Sequence, residues 1–284
     1  MLWAILITMH MFGLVSYTIL LRKISNRKLD KIFTATVMST ALWIPSIFYI
    51  FTGKVQFDLT FHQWSFLILG SFFVAGLHIT NVWALAHLDA SMFTILYNLR
   101  LLVVTVLGYF ILGELPTKLQ IVGGIIILSS ILMLNLHVDS RWKSKPILIG
   151  LFTMLWFSFH ATIEKYNIAQ INIETYIFIF FTLGTLFLWI LVIYKRTDVK
   201  TQMSLLADRQ IALLLFTRAI SAYSYIYALK QGDLAISNYI SGMSVVVVVL
   251  FGIYYLGERN EKKQKLIATA IALVGMTLIF VSKI

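Results

Sequence analysis

The sequence predicts an all-α polytopic membrane protein, with ten transmembrane helices arranged as two inverted five-helix repeats. Three observations carry that expectation. Of 284 residues, 60% are hydrophobic, 12% are charged and only three are proline, whereas about a quarter of the residues in a soluble domain are charged. The apolar runs are long enough to cross a hydrocarbon core, which takes roughly 20 helical residues. The chain also overlies itself without a gap at a spacing of 144 residues. Trp83 to Glu114 lies over Tyr227 to Glu258, and Ala84/Ala228, Leu85/Leu229, Asp89/Asp233, Gly108/Gly252, Leu112/Leu256, Gly113/Gly257 and Glu114/Glu258 coincide, with Gln120/Gln264 extending the match. Each copy holds five apolar segments, an odd number, so the second copy enters the membrane from the opposite side, as in many transporters. The two repeats are expected over 1–137 and 146–284.

The first segment, 2–21, has no basic n-region and no A-x-A site, so it reads as a retained helix and not as a signal peptide. A basic loop (Arg22, Lys23, Arg27, Lys28, Lys31) separates it from the second, 32–51, and Lys54 lies before the third, 64–86. The fourth, 91–112, is framed by Asp89 and Gly113-Glu114, and the fifth, 118–136, opens on Lys118. The second copy follows the same order, with 147–168, 174–194, 210–229, 234–256 between Asp233 and Gly257-Glu258, and 264–282. Asp89 and Asp233 are expected N-caps, each accepting orphan amides at the positive end of a helix dipole. Gly113 and Gly257 permit a tight exit, and Glu114 and Glu258 begin the interfacial turn. These residues recur in both copies at the bilayer edge and are read as fixing the fold.

Loop charge gives an independent sign of orientation. The loops after segments 1, 3, 5, 7 and 9 hold sixteen Lys and Arg; the other loops and termini hold five, namely Lys54, Lys118, Lys165, Lys230 and Lys283. The odd loops are therefore expected in the cytoplasm and both termini outside, across a cell membrane. The bias also reverses between copies. The loop after segment 1 is basic where its partner after segment 6 has only Lys165, and the loop after segment 4 has only Lys118 where its partner has Arg259, Lys262, Lys263 and Lys265. Orientation and anionic lipid thus account for the net charge of +11, and nucleic acid is not an expected partner. The chain has no cysteine for a thiolate metal site. His10, His62, His78, His87, His137 and His160 form no H-E-x-x-H cluster, and no Walker A loop is present. Neither enzyme activity nor a cofactor or metal is expected.

The pattern A-L-x-x-x-D, a span ending in L-G-E and a glutamine six residues on, repeated in two halves, resembles the drug/metabolite transporter superfamily, specifically its EamA-type members. The resemblance covers the whole chain and implies secondary transport, often metabolite or amino-acid export, through a central cavity between the halves. Relatives often carry a proline thirteen residues before the L-G-E glutamate, where this chain has Leu101 and Val245. Tyr97-Asn98-Leu99-Arg100 is also similar to the Tyr-x-Leu-Lys pattern of nucleotide-sugar transporters in the same superfamily, whose lysine is associated with an anionic ligand.

The residues themselves point to the same part of the chain. A charge at a helix centre costs about 2.5 to 3.5 kcal/mol on insertion scales, yet Arg100 and Arg218 lie near the middle of segments 4 and 8, and their repeat counterparts are Ser244 and Val74. The fold does not demand them. Glu164 is the one acid expected inside a span, which leaves surplus positive charge to receive a carboxylate or phosphate through a planar guanidinium. Helical spacing places Trp156, His160 and Glu164 on one stripe, Arg218, Ser221 and Tyr225 on another, His78 with Asn81, and His10 with Tyr17. These stripes are expected to converge on one cavity, with Arg100, Arg218, Tyr97, Asn98, His78, Asn81, Trp156, Tyr225 and Ser241 as the expected substrate-binding residues. His160 and Glu164 are either a proton-coupling pair or, with an arginine against the glutamate, a structural latch. Tyr223, Tyr225 and Tyr227 alternate, so at least one is expected at lipid or the interface. The expected partners are the bilayer and a small anionic or zwitterionic solute. The alternatives are a proton-coupled amino-acid or drug exporter without anion selectivity, a channel or lipid flippase, and an assembly factor that binds no solute.

The orientation is testable with reporter fusions in the Arg22 to Lys31 loop and after the last segment. A cytoplasm-dependent reporter is expected to be active in the first and silent in the second, and the opposite pattern overturns the assignment.

Overall fold

The computed structural model describes residues 2–25, 29–113, 117–135, 145–206, 208–231, 237–238 and 241–281. Among them the chain forms helices and turns without strands: α1 (Leu2–Ser25), α2 (Lys31–Ser46), α3 (Phe61–His87), α4 (Ala90–Tyr97), α5 (Arg100–Leu107), α6 (Lys118–Asn135), α7 (Lys145–Gln170), α8 (Ile173–Tyr194), α9 (Val199–Leu206), α10 (Arg209–Gln231), α11 (Ser244–Tyr254) and α12 (Lys262–Val281). Seven helical stretches among the described residues are long and apolar enough to cross a membrane: α1, α2 with its extension to Thr52, α3, Ala90–Ile111, α7, α8 and α10. Lys118–Ser130 and Ser244–Tyr254 are shorter apolar helices, and α12 carries Lys262, Lys263 and Lys265 in its first turn. The protein is an integral, multi-pass, all-helical membrane protein.

Local chemistry sets many of the ends. Asp30 accepts from the Phe33 amide at 2.8 Å to cap α2, Thr60 and Gln63 form a reciprocal capping box on α3, and Asn172 accepts from Thr175 at 2.7 Å to cap α8. Pro45 cannot donate to the α2 ladder, and two residues later the helix tightens into a 3₁₀ turn, Ile47–Thr52. The expected fourth segment is interrupted. Asn98 and Leu99 form a turn between α4 and α5 next to Leu101, with Leu99 N–H bonded to Leu96 O and Leu101 N–H to Asn98 O, both at 3.1 Å. Met243, the repeat counterpart of Leu99, is likewise a turn residue before α11, and the Val246 amide bonds to its carbonyl at 3.2 Å. Each interruption is a local 3₁₀ tightening without a proline.

The helices pack in pairs that join the two expected repeats: α1 on α10, α3 on α7, α2 on α8, α6 on α12 and α4 on α11. Loop contacts gather on two faces. At one, Lys54 O accepts from Asn172 Nδ2 at 2.9 Å, and Gln63 Nε2 donates to Gln170 O. At the other, Asp30 N–H donates to Gln202 on α9 at 2.8 Å. The spacing of the apolar runs predicts a loop over 195–209. A helix forms there because Asp198 accepts from the amide and hydroxyl of Thr201, bonds that also hold its carboxyl below the ordinary carboxylate range.

The repeated acids act differently from the expectation. Asp89 occupies the N-cap position of α4, but its side chain makes no cap bond. It receives Arg22 Nη2 at 3.3 Å and Lys265 Nζ at 2.7 Å. The cap is Glu258, which turns inward instead of beginning an interfacial turn. Its Oε1 accepts from Ala90 N–H at 2.7 Å, and its Oε2 accepts from the Ser91 amide at 3.1 Å and the Ser91 hydroxyl at 2.7 Å. Arg22 Nε lies 3.5 Å from the same carboxylate. Gly252 makes room for it, since a Cβ there would sit 2.6 Å from Glu258 Oε2. Gly113 and Gly257 take the left-handed conformation, with φ of 72° and 75°, as their exits require. Glu114 and Asp233 lie outside the described residues.

Tyr223 donates to Leu42 O at 2.7 Å and Tyr227 bonds Tyr49 at 2.6 Å, so both reach α2 and its extension.

Removing the Glu258 carboxylate leaves α4 uncapped and two cations, the buried Lys265 and the partly buried Arg22, facing Asp89 alone. Glu258→Ala is expected to lower stability by about 3 kcal/mol or more. Thermal unfolding of the purified protein in detergent measures this, and an unchanged midpoint would contradict the role.

Candidate functional site

A cavity of about 80 Å³ lies among α1, α2, α3, α4, α5, α7, α8, α10 and α11. On the same measure one water needs about 10–15 Å³, so the space is of small-solute scale. Its polar lining gathers nearly every residue singled out in the sequence: His78 and Asn81 on α3, Tyr97, Asn98 and Arg100 around the α4–α5 turn, His160 and Glu164 on α7, Arg218 and Tyr225 on α10, and Ser241 before α11. His10 and Tyr17 join them from α1.

Trp156 does not line the cavity. Its indole lies flat on α3 at Gly76, where a Cβ would sit 2.8 Å from the ring, and it packs against Phe72 and Phe73 at 5.4 and 5.3 Å. Four residues overshoot one helical turn by about 40°. Trp156 is therefore rotated by about 80° from Glu164 and turns to a neighbouring helix.

Arg100 is 2% exposed and wedged between two aromatic faces. Its guanidinium carbon is 4.6 Å from the Tyr97 ring centre and 4.7 Å from that of Phe157, a cation–π sandwich that holds the charge without neutralising it. Nη2 donates to Ser241 Oγ at 3.1 Å. Arg218 stacks on Tyr17 at 5.1 Å. Neither Arg100 Nε nor Arg218 Nε has a hydrogen-bond partner among the described residues, nor do Asn81 Oδ1, Asn98 Nδ2, His160 Nδ1 and Glu164 Oε2. Buried polar atoms are normally satisfied, and these six all belong to residues that line one cavity.

Glu164 is not latched by an arginine among the described residues. Tyr176 donates to its Oε1 at 3.0 Å, and His160 Nε2 is 3.7 Å from its Oε2. The His160 ring stacks on Phe180 at 5.3 Å and 17°. Elsewhere in the lining Asn81 Nδ2 donates to Tyr17 Oη, and Tyr225 Oη donates to Asn238 at 3.0 Å. Ser221 bonds His10 instead of lining the cavity.

Sequence reasoning missed Tyr176 and Phe157. Tyr176 reaches Glu164 from the next helix, twelve residues on and across a turn, which no single-helix periodicity reveals. Phe157 follows Trp156 in an aromatic run, and nothing in its neighbours marks it as the second face of the Arg100 sandwich.

Comparison with known proteins agrees with this architecture. A protein of Lactobacillus helveticus named as a candidate sugar uptake protein is 26% identical over 182 residues, which span 60% of this chain and 61% of that relative's own length. A crystal structure with 15% sequence identity matches 97% of this chain and 98% of its own, with a TM-score of 0.66, a likeness of fold alone. The sequence profile of the EamA-like transporter family matches residues 1–136 and 144–281. The chain, with its buried polar cavity among membrane-crossing helices, belongs to the EamA-like transporter family.

Proposed function

We propose that the protein is a secondary carrier that moves a small polar solute bearing a carboxylate or phosphate by alternating access through this cavity. One observation carries the anionic assignment: two guanidiniums face one carboxyl in the lining, and the Nε of each has no partner among the described residues. A planar guanidinium donates to carboxylate or phosphate with matched geometry. On this reading the ten expected spans form two inverted halves, and the cavity lies at the interface between them. Two sets of contacts between the halves are candidates for alternate opening. One is the Arg22, Asp89, Glu258 and Lys265 cluster; the other is the single Tyr49–Tyr227 hydrogen bond. The odd loops, where the charge cluster lies, face the cytoplasm on this reading, and direction and coupling follow from the solute gradients.

A second reading has its own support. The relative's name refers to sugar uptake, and the lining offers Asn81 Oδ1, Asn98 Nδ2 and Glu164 Oε2 beside aromatic rings, which suits a neutral polyhydroxylated solute.

A thermal-shift screen of the purified protein against organic acids, amino acids, sugar phosphates and neutral sugars separates the two, because a ligand of the native state raises its apparent stability by mass action. An anionic compound is expected to stabilise the wild-type protein. Arg100→Gln is expected to lose that response and Arg100→Lys to retain part of it with altered selectivity, since lysine keeps the charge without the planar fork. Adding Glu164→Gln is not expected to restore Arg100→Gln, because the two groups are not paired. Stabilisation by neutral sugars alone, unchanged in Arg100→Gln, would favour the second reading and reject the first.

A further inference from the structure

We infer that His10 is a positioning residue for the solute-binding guanidinium of Arg100 and acts through the hydroxyl of Ser241. The inference rests on the assignment of Arg100 to the solute's anionic group. Three contacts carry it. His10 Nδ1 lies 2.8 Å from the Ser221 carbonyl oxygen, His10 Nε2 lies 3.0 Å from Ser241 Oγ, and Arg100 Nη2 donates to Ser241 Oγ at 3.1 Å.

The donor and acceptor roles follow from one end of this chain. A carbonyl oxygen only accepts, so Nδ1 carries the ring proton and donates to Ser221 O, with the Ser221 hydroxyl oxygen, 3.1 Å from the same nitrogen, as a second acceptor. In a singly protonated imidazole Nε2 is then an acceptor, and the Ser241 hydroxyl has to donate to it. That fixes a freely rotating hydroxyl with its lone pairs toward Arg100, which is the orientation the guanidinium needs. Without His10, the Ser241 proton is free to turn toward Arg100 and oppose the donor it should receive.

The anchor itself is rigid. One helical turn from His10, a Cβ at Gly13 would sit 2.8 Å from Thr217 O and 2.9 Å from Ser221 Cβ, so α1 is seated against α10 as closely as backbones allow. The Tyr225 ring packs on His10 at 4.7 Å. His10 and Arg100 belong to the first repeat in sequence, Ser221 and Ser241 to the second. The orientation of Arg100 is thereby tied to the contact between the two halves. The relay has no repeat equivalent, since the counterparts of His10, Ser241 and Arg100 are Met154, Tyr97 and Ser244.

The test uses the full-length protein in detergent with ¹⁵N-labelled arginine, and reads the Arg100 Nε–H resonance, assigned by its loss in Arg100→Lys and displaced by the currents of the Tyr97 and Phe157 rings. This arm needs no solute. His10→Asn keeps a group near the Nδ1 position but is too short to reach Ser241, His10→Gln restores an acceptor near the Nε2 position, and Ser241→Ala removes the relay with a minimal change in volume. His10→Asn and Ser241→Ala are expected to move or broaden the Arg100 resonance, and His10→Gln to leave it close to wild type. In a second arm, glucose 6-phosphate and inorganic phosphate are titrated as anionic probes. Affinity is expected to fall about tenfold in His10→Asn and Ser241→Ala and to stay within about twofold in His10→Gln, as befits one hydrogen bond to a charged group.

An Arg100 resonance unmoved in both His10→Asn and Ser241→Ala overturns the positioning role. A resonance that moves while probe affinity stays constant overturns the assignment of Arg100 to the solute, leaving His10 as a holder of a structural arginine. If His10→Asn does not fold, Ser241→Ala decides alone.

Discussion

The carboxylate of Glu258 sits where four segments meet: the end of α1 through Arg22, the start of α4 through the Ala90 and Ser91 amides, the end of α11 through Gly252, and the start of α12 through Lys265 and Asp89. The first amides of a helix have no partner within it, and near the bilayer an unmet amide is expensive. A carboxylate from the other half of the chain meets them and sits at the positive end of the α4 dipole. The same cluster reaches the end of α3, because Arg22 Nη1 and Ser25 Oγ both donate to Leu85 O. Two acids and two bases offset one another here, which allows Lys265 to be 3% exposed and Glu258 7%. The consequence for the site is geometric. Arg100 lies ten residues beyond Ala90, about 15 Å at 1.5 Å per residue, or half the thickness of a hydrocarbon core of roughly 30 Å. Fixing the start of α4 fixes the depth at which Arg100 stands.

Residues that recur at the 144-residue spacing and residues that line the cavity are largely different sets. Gly108/Gly252 and Gly113/Gly257 recur, and they serve helix exits and, at Gly252, room for the Glu258 carboxylate. The charged and imidazole groups of the cavity do not recur: Arg100, Arg218, His160 and Glu164 lie opposite Ser244, Val74, Ser16 and Leu20. A repeat can be kept for packing while a solute without two-fold symmetry is met by different groups on its two sides. Even the charge cluster is only half repeated, since the counterparts of Arg22 and Lys265 are Tyr166 and Ile121.

Arginine within the membrane rests here on aromatic faces, and among the described residues neither Arg100 nor Arg218 has an acid in salt-bridge contact. Arg100 lies between Tyr97 and Phe157, and Arg218 stands over Tyr17. Ring quadrupoles attract a cation without removing its charge, so both guanidiniums remain able to interact with an anion. A carboxylate partner would have satisfied them and closed the site. Glu164 is held elsewhere, by Tyr176 and beside His160.

Sequence alone determined the class, the positions of seven membrane-crossing stretches and most of the cavity lining, because those depend on composition, run length and helical period. Bilayer thickness sets the run length, and a costly charge at midspan is conspicuous in any sequence, which is why Arg100, Arg218 and Glu164 were legible. Helical spacing grouped His78 with Asn81 and Arg218 with Tyr225, which all line the cavity, but period 3.6 drifts, and Trp156 turns from the cavity to Gly76. The repeat revealed that Asp89 and Glu258 matter without revealing how. Which acid caps α4 was decided by tertiary structure, as were the two rings that hold Arg100, the Tyr176 bond to Glu164, the seating of Tyr223 and Tyr227 on α2 and its extension, and the His10–Ser241–Arg100 chain. Each of those contacts joins residues on different helices, and helical period specifies only the direction a side chain takes from its own axis. What stands on the other side is set by how the helices pack against one another.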